Sequence, residues 1–371
     1  MSKSSEIQSL LEKLTLDEKA QLCSGSDFWH LHGIEHLDLP SIMVTDGPHG
    51  LRKQSEEADH IGLAESVAAT CFPTASGLAA TWNIDLIKKV GVTLAKECRT
   101  EQVSVILGPG VNIKRHPLGG RNFEYFSEDP FLTGKLASGL IEGIQSEGIG
   151  TSIKHFAVNN HETGRMVVDA IVDERTLREI YLPGFEIPIK ESKPWTVMCS
   201  YNKVDGTYLS EHHRLLTEIL RDEWGFDGIV MTDWGATNQR IEGIKAGLDL
   251  EMPASGRLNT DRIIKAVQNG ELSYDKLDAC VTRLLALIIK SRRLLNDNHQ
   301  HSANEHHQVA KLAALEACVL LKNEQQNLPL SISDKVGVIG ALAKDTRYQG
   351  SGSSQINPTH LDQPLEAISL L

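Results

Sequence analysis

The chain is poor in several features that would each point to a function. Its 371 residues include only six cysteines: Cys23, Cys71, Cys98, Cys199, Cys280 and Cys318. None forms a CxxC pair and several lie in apolar runs, so buried free thiols are expected rather than a disulfide framework. There is no apolar stretch of 18 residues, and the opening segment has no apolar core of the signal-peptide kind. The expectation is a soluble cytoplasmic chain. Positive charge is also lacking. A formal net charge of -12 argues against a nucleic-acid backbone as partner and suits a neutral substrate. No P-loop and no GxGxxG occurs, so no nucleotide cofactor is expected. His299, His301, His306 and His307 are clustered, but no carboxylate or cysteine lies at ligand spacing beside them, so no metal site is read there.

What is present is an alternation of short apolar runs and helical stretches. Ser41-Ile42-Met43-Val44, Val103 to Leu107, Thr151-Ser152-Ile153, Thr196 to Cys199, Gly228 to Met231 and Leu248 to Glu251 read as buried strands. Between them the pattern predicts helices over about Ile84 to Glu101, Asp129 to Glu147, from Glu174, His212 to Glu223 and Asn238 to Ala246. Two more follow, at about Thr260 to Gln268 and Tyr274 to Arg292. Thr15 with Glu18 makes a capping box. Asp129-Pro130 makes an N-cap with proline at the first helical position. Such βα units imply an α/β protein with parallel pairing. With one or two strands missed, a (β/α)8 TIM-type barrel over residues 1–293 is the natural closure, an open doubly wound sheet the alternative.

Residues 294–308 are rich in Asn, Asp, His, Gln and Ser and read as a linker. A helix from about Val309 and a strand over Lys335 to Gly340 would then begin a second α/β domain, an αβα sandwich, over residues 309–371. Too little sequence follows that strand to close such a sheet, so the domain is expected to be truncated.

Polar groups recur at the carboxyl ends of these strands: Asp46, Lys154 with His155, Ser200 with Tyr201, and Asp233 with Trp234. In a barrel those ends converge on one face, where its active sites lie. Each has a bland reading too. Asp233 could cap a helix, Asp46 could serve a turn, and Lys154-His155 could be a surface pair.

Five segments, in order, resemble glycoside hydrolase family 3. They are Thr45-Asp46-Gly47-Pro48-His49-Gly50-Leu51-Arg52, Gly119-Gly120-Arg121-Asn122-Phe123-Glu124 with Ser127-Glu128-Asp129-Pro130, Lys154-His155-Phe156-Ala157-Val158-Asn159-Asn160, Met198-Cys199-Ser200-Tyr201-Asn202, and Gly225 to Trp234. The resemblance implies a retaining β-glycosidase of β-glucosidase type, acting on a small oligosaccharide or an aryl or alkyl β-glucoside. It makes Asp233 the nucleophile. It puts Asp46, Arg52, Arg121, Lys154, His155 and Tyr201 on the sugar hydroxyls, and Met198 and Trp234 on the pocket wall. Ser353 would reach over from the second domain. The family's acid/base Glu would come from that domain too, beyond Leu371, leaving Glu124, Glu128 and Glu162 as in-chain candidates. Three other readings stay open: an N-acetyl-β-glucosaminidase of the same family, a sugar-binding barrel without efficient turnover, and an aldolase using Lys154 as a Schiff base. The last requires Lys154 to be buried away from carboxylates.

Overall fold

The computed structural model describes residues 3–54, 64–295 and 298–370. Its centre is a curled six-stranded sheet: β1 (His30–Leu31), β2 (Ile42–Asp46), β3 (Val105–Leu107), β4 (Gly150–Phe156), β5 (Thr196–Cys199) and β6 (Ile229–Thr232). The strands lie side by side in chain order. β2 to β6 are parallel, with Val44 opposite Val105, Ile106 opposite Thr151 and Val197 opposite both Ile153 and Val230. Every residue of β2 to β6 is buried, which is why these strands read as continuous apolar runs rather than alternating ones. β1 was not expected. It pairs antiparallel with β2, and at two residues it is too short to leave a periodic signal.

Leu248 to Glu251 differs from the ladder strand that the sequence suggests. It joins the sheet by single bridges, Leu250 to Met231 and Glu251 to Ser24. The reason is Asp249. Its carboxylate accepts the N–H of Val230 at 2.8 Å, while the N–H groups of Asp249 and Leu250 both converge on the carbonyl of Val230. A side chain thus replaces one rung. Gly25 then bridges to Leu31, so the pairings lead from β6 through Leu250, Glu251, Ser24 and Gly25 back to β1.

The expected helices lie between the strands. Thr15 and Glu18 form their reciprocal capping box, and Asp129 caps Pro130–Ser146 through the N–H of Leu132 at 2.7 Å. Helices Ile84–Thr100 and Pro130–Ser146 pack so closely that glycine is required at the crossing. A Cβ on Gly143 would stand 2.1 Å from the carbonyl oxygen of Lys88.

Two expectations for the C-terminal part are corrected. The helix there begins at Ala303, inside the polar stretch, because Ser302 caps the N–H of Glu305. Lys335 to Gly340 forms no strand. Ile339 is 96% exposed, and no described strand lies alongside to take its backbone groups. The chain nevertheless returns to the sheet domain. Asn357–Pro358 pairs with Ala68–Ala69, and Ile356 is buried. All six cysteines are free, with Cys71 half-buried and Cys318 exposed rather than buried. Among the described residues no helix is long and apolar enough to cross a membrane.

Candidate active site

A cavity of about 460 Å³ opens at the carboxyl ends of the strands. Asp46 closes β2, Lys154 and His155 lie near the carboxyl end of β4, Met198 is on β5 with Tyr201 just beyond, and Asp233 and Trp234 follow β6. All of these line the cavity, together with Arg121 and Ser353. Arg52 does not. It stands behind Asp46, joined to it by a backbone bridge and with its Nη1 3.8 Å from the carboxylate. The resemblance sets it on a sugar hydroxyl; here its guanidinium lies against the Asp46 carboxylate.

The wall carries four carboxylates, Asp46, Glu124, Glu162 and Asp233, against three cations, Arg121, Lys154 and Arg165. Three of the carboxylates have a cation within ion-pair distance. Asp46 has Lys154 at 3.4 Å, Glu124 is bonded to Arg121, and Glu162 has Arg165 at 3.0 Å. Asp233 has none among the described residues; its neighbour is His155, at 3.7 Å. Burial pushes the His155 imidazole well below its ordinary range, and Arg121 and Lys154 push it the same way, so the ring is neutral and this contact is not an ion pair. Its Nε2 accepts from Arg121 Nη2 at 2.7 Å, which leaves the proton on Nδ1, 3.1 Å from the hydroxyl of Tyr125.

One oxygen of Asp233 is fixed by the N–H of Trp234 at 2.8 Å. The Trp234 indole donates to the carbonyl of Phe28 at 2.9 Å and packs on Trp29, centroids 5.3 Å apart. The Tyr201 hydroxyl donates to the carbonyl of Trp234, and burial with Asp233 beside it pushes its phenol up. Burial also pushes the Asp46 carboxyl up, with Lys154 and Arg52 pulling it back. For Glu124 burial acts upward, but Arg121 and Lys154 outweigh it and hold the carboxyl below its ordinary range.

Glu128 is exposed and off the cavity wall. Lys154 is buried against Asp46, so the condition set for a Schiff-base lysine is not met. Sequence reasoning missed Arg165, Met166 and Phe123, all on the cavity wall. Arg165 lies 4.6 Å from the Tyr201 ring centroid. Phe123 lies in the short 3-10 helix Asn122–Glu124 and the other two in a loop, where no strand end marks them.

A cavity at the strand ends of an α/β sheet, lined by four carboxylates and three cations, suits a small, hydroxyl-rich molecule. The chain belongs to glycosyl hydrolase family 3: the model of that family's N terminal domain matches residues 55–287, and that of its C-terminal domain matches residues 318–370. It is 53% identical to the thermostable beta-glucosidase B of Acetivibrio thermocellus over 98% of this chain and 48% of that protein. It is 50% identical to an exo-alpha-(1->6)-L-arabinopyranosidase of Bifidobacterium longum over 97% of this chain and 49% of the other. Among solved structures it resembles the Bifidobacterium adolescentis GH3 beta-glucosidase, with TM-score 0.91 and 48% identity over 97% of this chain and 51% of that one. It also resembles beta-glucosidase 3B of Thermotoga neapolitana in complex with glucose, with TM-score 0.92 and 40% identity over 98% of this chain and 54% of that one. The chain spans about half the length of the curated relatives it matches.

Proposed function

We propose that this chain carries the glycone-binding and nucleophile-bearing part of a retaining β-glucosidase. The observation that carries the reading is Asp233. It is the one cavity carboxylate without a cation partner among the described residues, and one of its oxygens is already fixed. The return of the strand pairings to β1 supports a (β/α)8 TIM-type barrel, and the match of residues 318–370 to the family's C-terminal domain supports reading residues 309–371 as the start of a second α/β domain.

In this reading a pyranose enters the cavity and its hydroxyls pair with Asp46, Lys154, His155 and Arg121. Charged partners make the stronger bonds to such hydroxyls, and desolvated hydroxyls left unpaired are costly. Trp234 covers an apolar face of the ring. Asp233 then attacks the anomeric carbon as the glycosidic bond breaks, and the aglycone oxygen leaves with a proton from a general acid. Water later displaces the glycosyl ester. A second carboxyl roughly 5 Å from the nucleophile fits that mechanism. Glu124 is held ionised by Arg121 and Glu162 is paired with Arg165, so we assign the acid to neither.

A fluorinated aryl glucoside that accumulates the covalent intermediate should label Asp233, read by peptide mass spectrometry. Asp233→Asn should lower turnover of an aryl glucoside by at least about 10⁴-fold with the fold unchanged. Label on Glu124 or Glu162 would end the assignment. The arabinopyranosidase relatives favour a second reading of the sugar, and the same assay with an aryl α-L-arabinopyranoside separates the two.

A further inference from the structure

The polar stretch that the sequence gives no metal contains a donor set completed from far away in the chain. Helix Ala303–Glu316 lies against helix Ile84–Thr100, and His306 Nδ1 sits 2.8 Å from Glu97 Oε1. Both side chains are buried, at 6% and 2% exposure. The carboxylate can only accept, so the His306 proton is on Nδ1 and Nε2 keeps its lone pair. His301 reaches the same state by another route. The Thr100 hydroxyl stands 3.1 Å from the carbonyl of Lys96 and 3.2 Å from that of His299, two acceptors for its one proton; donation to either leaves the hydroxyl oxygen open to a donor. Its oxygen therefore accepts from His301 Nδ1, 2.9 Å away, and leaves the second Nε2 as an acceptor. The His301 and His306 rings are stacked, 4.8 Å apart and within 12° of parallel. Donor atoms of Glu97, His301 and His306 all lie within 4.8 Å of one another. Beside them, His299 Nε2 is buried with no hydrogen-bond partner among the described residues. A cavity of about 820 Å³ adjoins, lined by His299, His301, Glu305 and His306.

We propose that Glu97, His301 and His306 form a binding site for a divalent transition metal of the zinc class, with His299 as the fourth donor. Imidazole and carboxylate suit such an ion. The ion takes the place of the proton between His306 Nδ1 and Glu97 Oε1, so that both atoms become ligands, and the Thr100 hydroxyl beside His301 Nδ1 is the outer-shell contact that orients that ring. Bonds of about 2.0–2.1 Å set tetrahedral donors about 3.4 Å apart, so binding draws the side chains in by about an ångström. The ion would pin residues 299–306 to helix Ile84–Thr100, and the site stands independently of the glycosidase reading.

 Independence rests on the two cavities sharing no lining residue.

The test uses the full chain, stripped by a chelator and titrated with Zn²⁺ in a calorimeter. One Zn²⁺ per chain is expected, with at least tenfold weaker binding in His301→Ala. Zn²⁺ should raise the melting temperature of the parent but not of the variant. His301 is half-buried, so its replacement is the milder change; if it fails to fold, Co²⁺ absorption of the parent decides instead. Intense tetrahedral bands support the site, and weak octahedral ones overturn it. Absence of stoichiometric Zn²⁺, or unchanged affinity in the folded variant, also overturns it.

Discussion

At the scale of single residues, the cavity separates its acids by their partners. Asp46, Glu124 and Glu162 are each held by a cation, and Asp233 faces a neutral imidazole. The buried histidines carry a consequence for stability. Burial pushes the His49 imidazole down to about 4, against an ordinary value of 6.5. Between those two values the unfolded chain binds a proton that folded His49 refuses. Stability is therefore unaffected by this residue above pH 6.5 and falls as pH drops from 6.5 towards 4. The full effect is on the order of 3 kcal/mol. Urea unfolding at pH 7 and pH 5 should show a smaller loss for His49→Gln than for the parent; equal losses would show that other groups set the acid limb. Asp46, Lys154, Tyr201 and Asp233 were legible in the sequence because each sits at a strand end. Arg165 was not, since it comes from a loop and no strand end marks its place beside Tyr201 and Glu162 on the cavity wall.

At the scale of elements, Asp249 is a junction. It is fully buried and accepts from Arg221 at 2.7 Å, from Arg283 Nε at 2.9 Å and from the N–H of Val230 at 2.8 Å. It thereby joins β6 to the helical segments Arg214–Glu223 and Tyr274–Ser291. Asp249→Ala strands two guanidinium groups, and should cost about 3–5 kcal/mol in urea unfolding. A loss under about 1 kcal/mol would mean that water or another acceptor replaces the carboxylate. The sequence showed an apolar run here but not that a side chain would displace a rung of the ladder. Capped helices were easier to read, because Thr15, Glu18 and Asp129 act on neighbours in sequence. Ser302 with Glu305 carries the same signal, but the His-rich and Asn-rich composition around it reads as linker. Lys335 to Gly340 has the composition of a strand, yet composition cannot supply a neighbour to pair with.

At the scale of the whole molecule, the order of strands followed from the alternating pattern, and the closing contacts did not, because they are single residues. Those contacts divide the sheet unequally. β2 to β6 are held by successive rungs, whereas the path between β6 and β1 crosses Leu250, Glu251, Ser24 and Gly25 one bridge at a time. Fluctuations that part the sheet should begin there, since few bonds must break together. In hydrogen–deuterium exchange the amides of Gly25 and Glu251 should lose protection well before those of Ile153 and Val197, and uniform protection would show a closure as firm as the ladders. Asp233 comes directly after β6, on the strand that borders this seam. In the proposed reading the nucleophile, Asp233, therefore rides on the edge of this seam, and a ligand bound against it should quieten exchange on both sides of the joint.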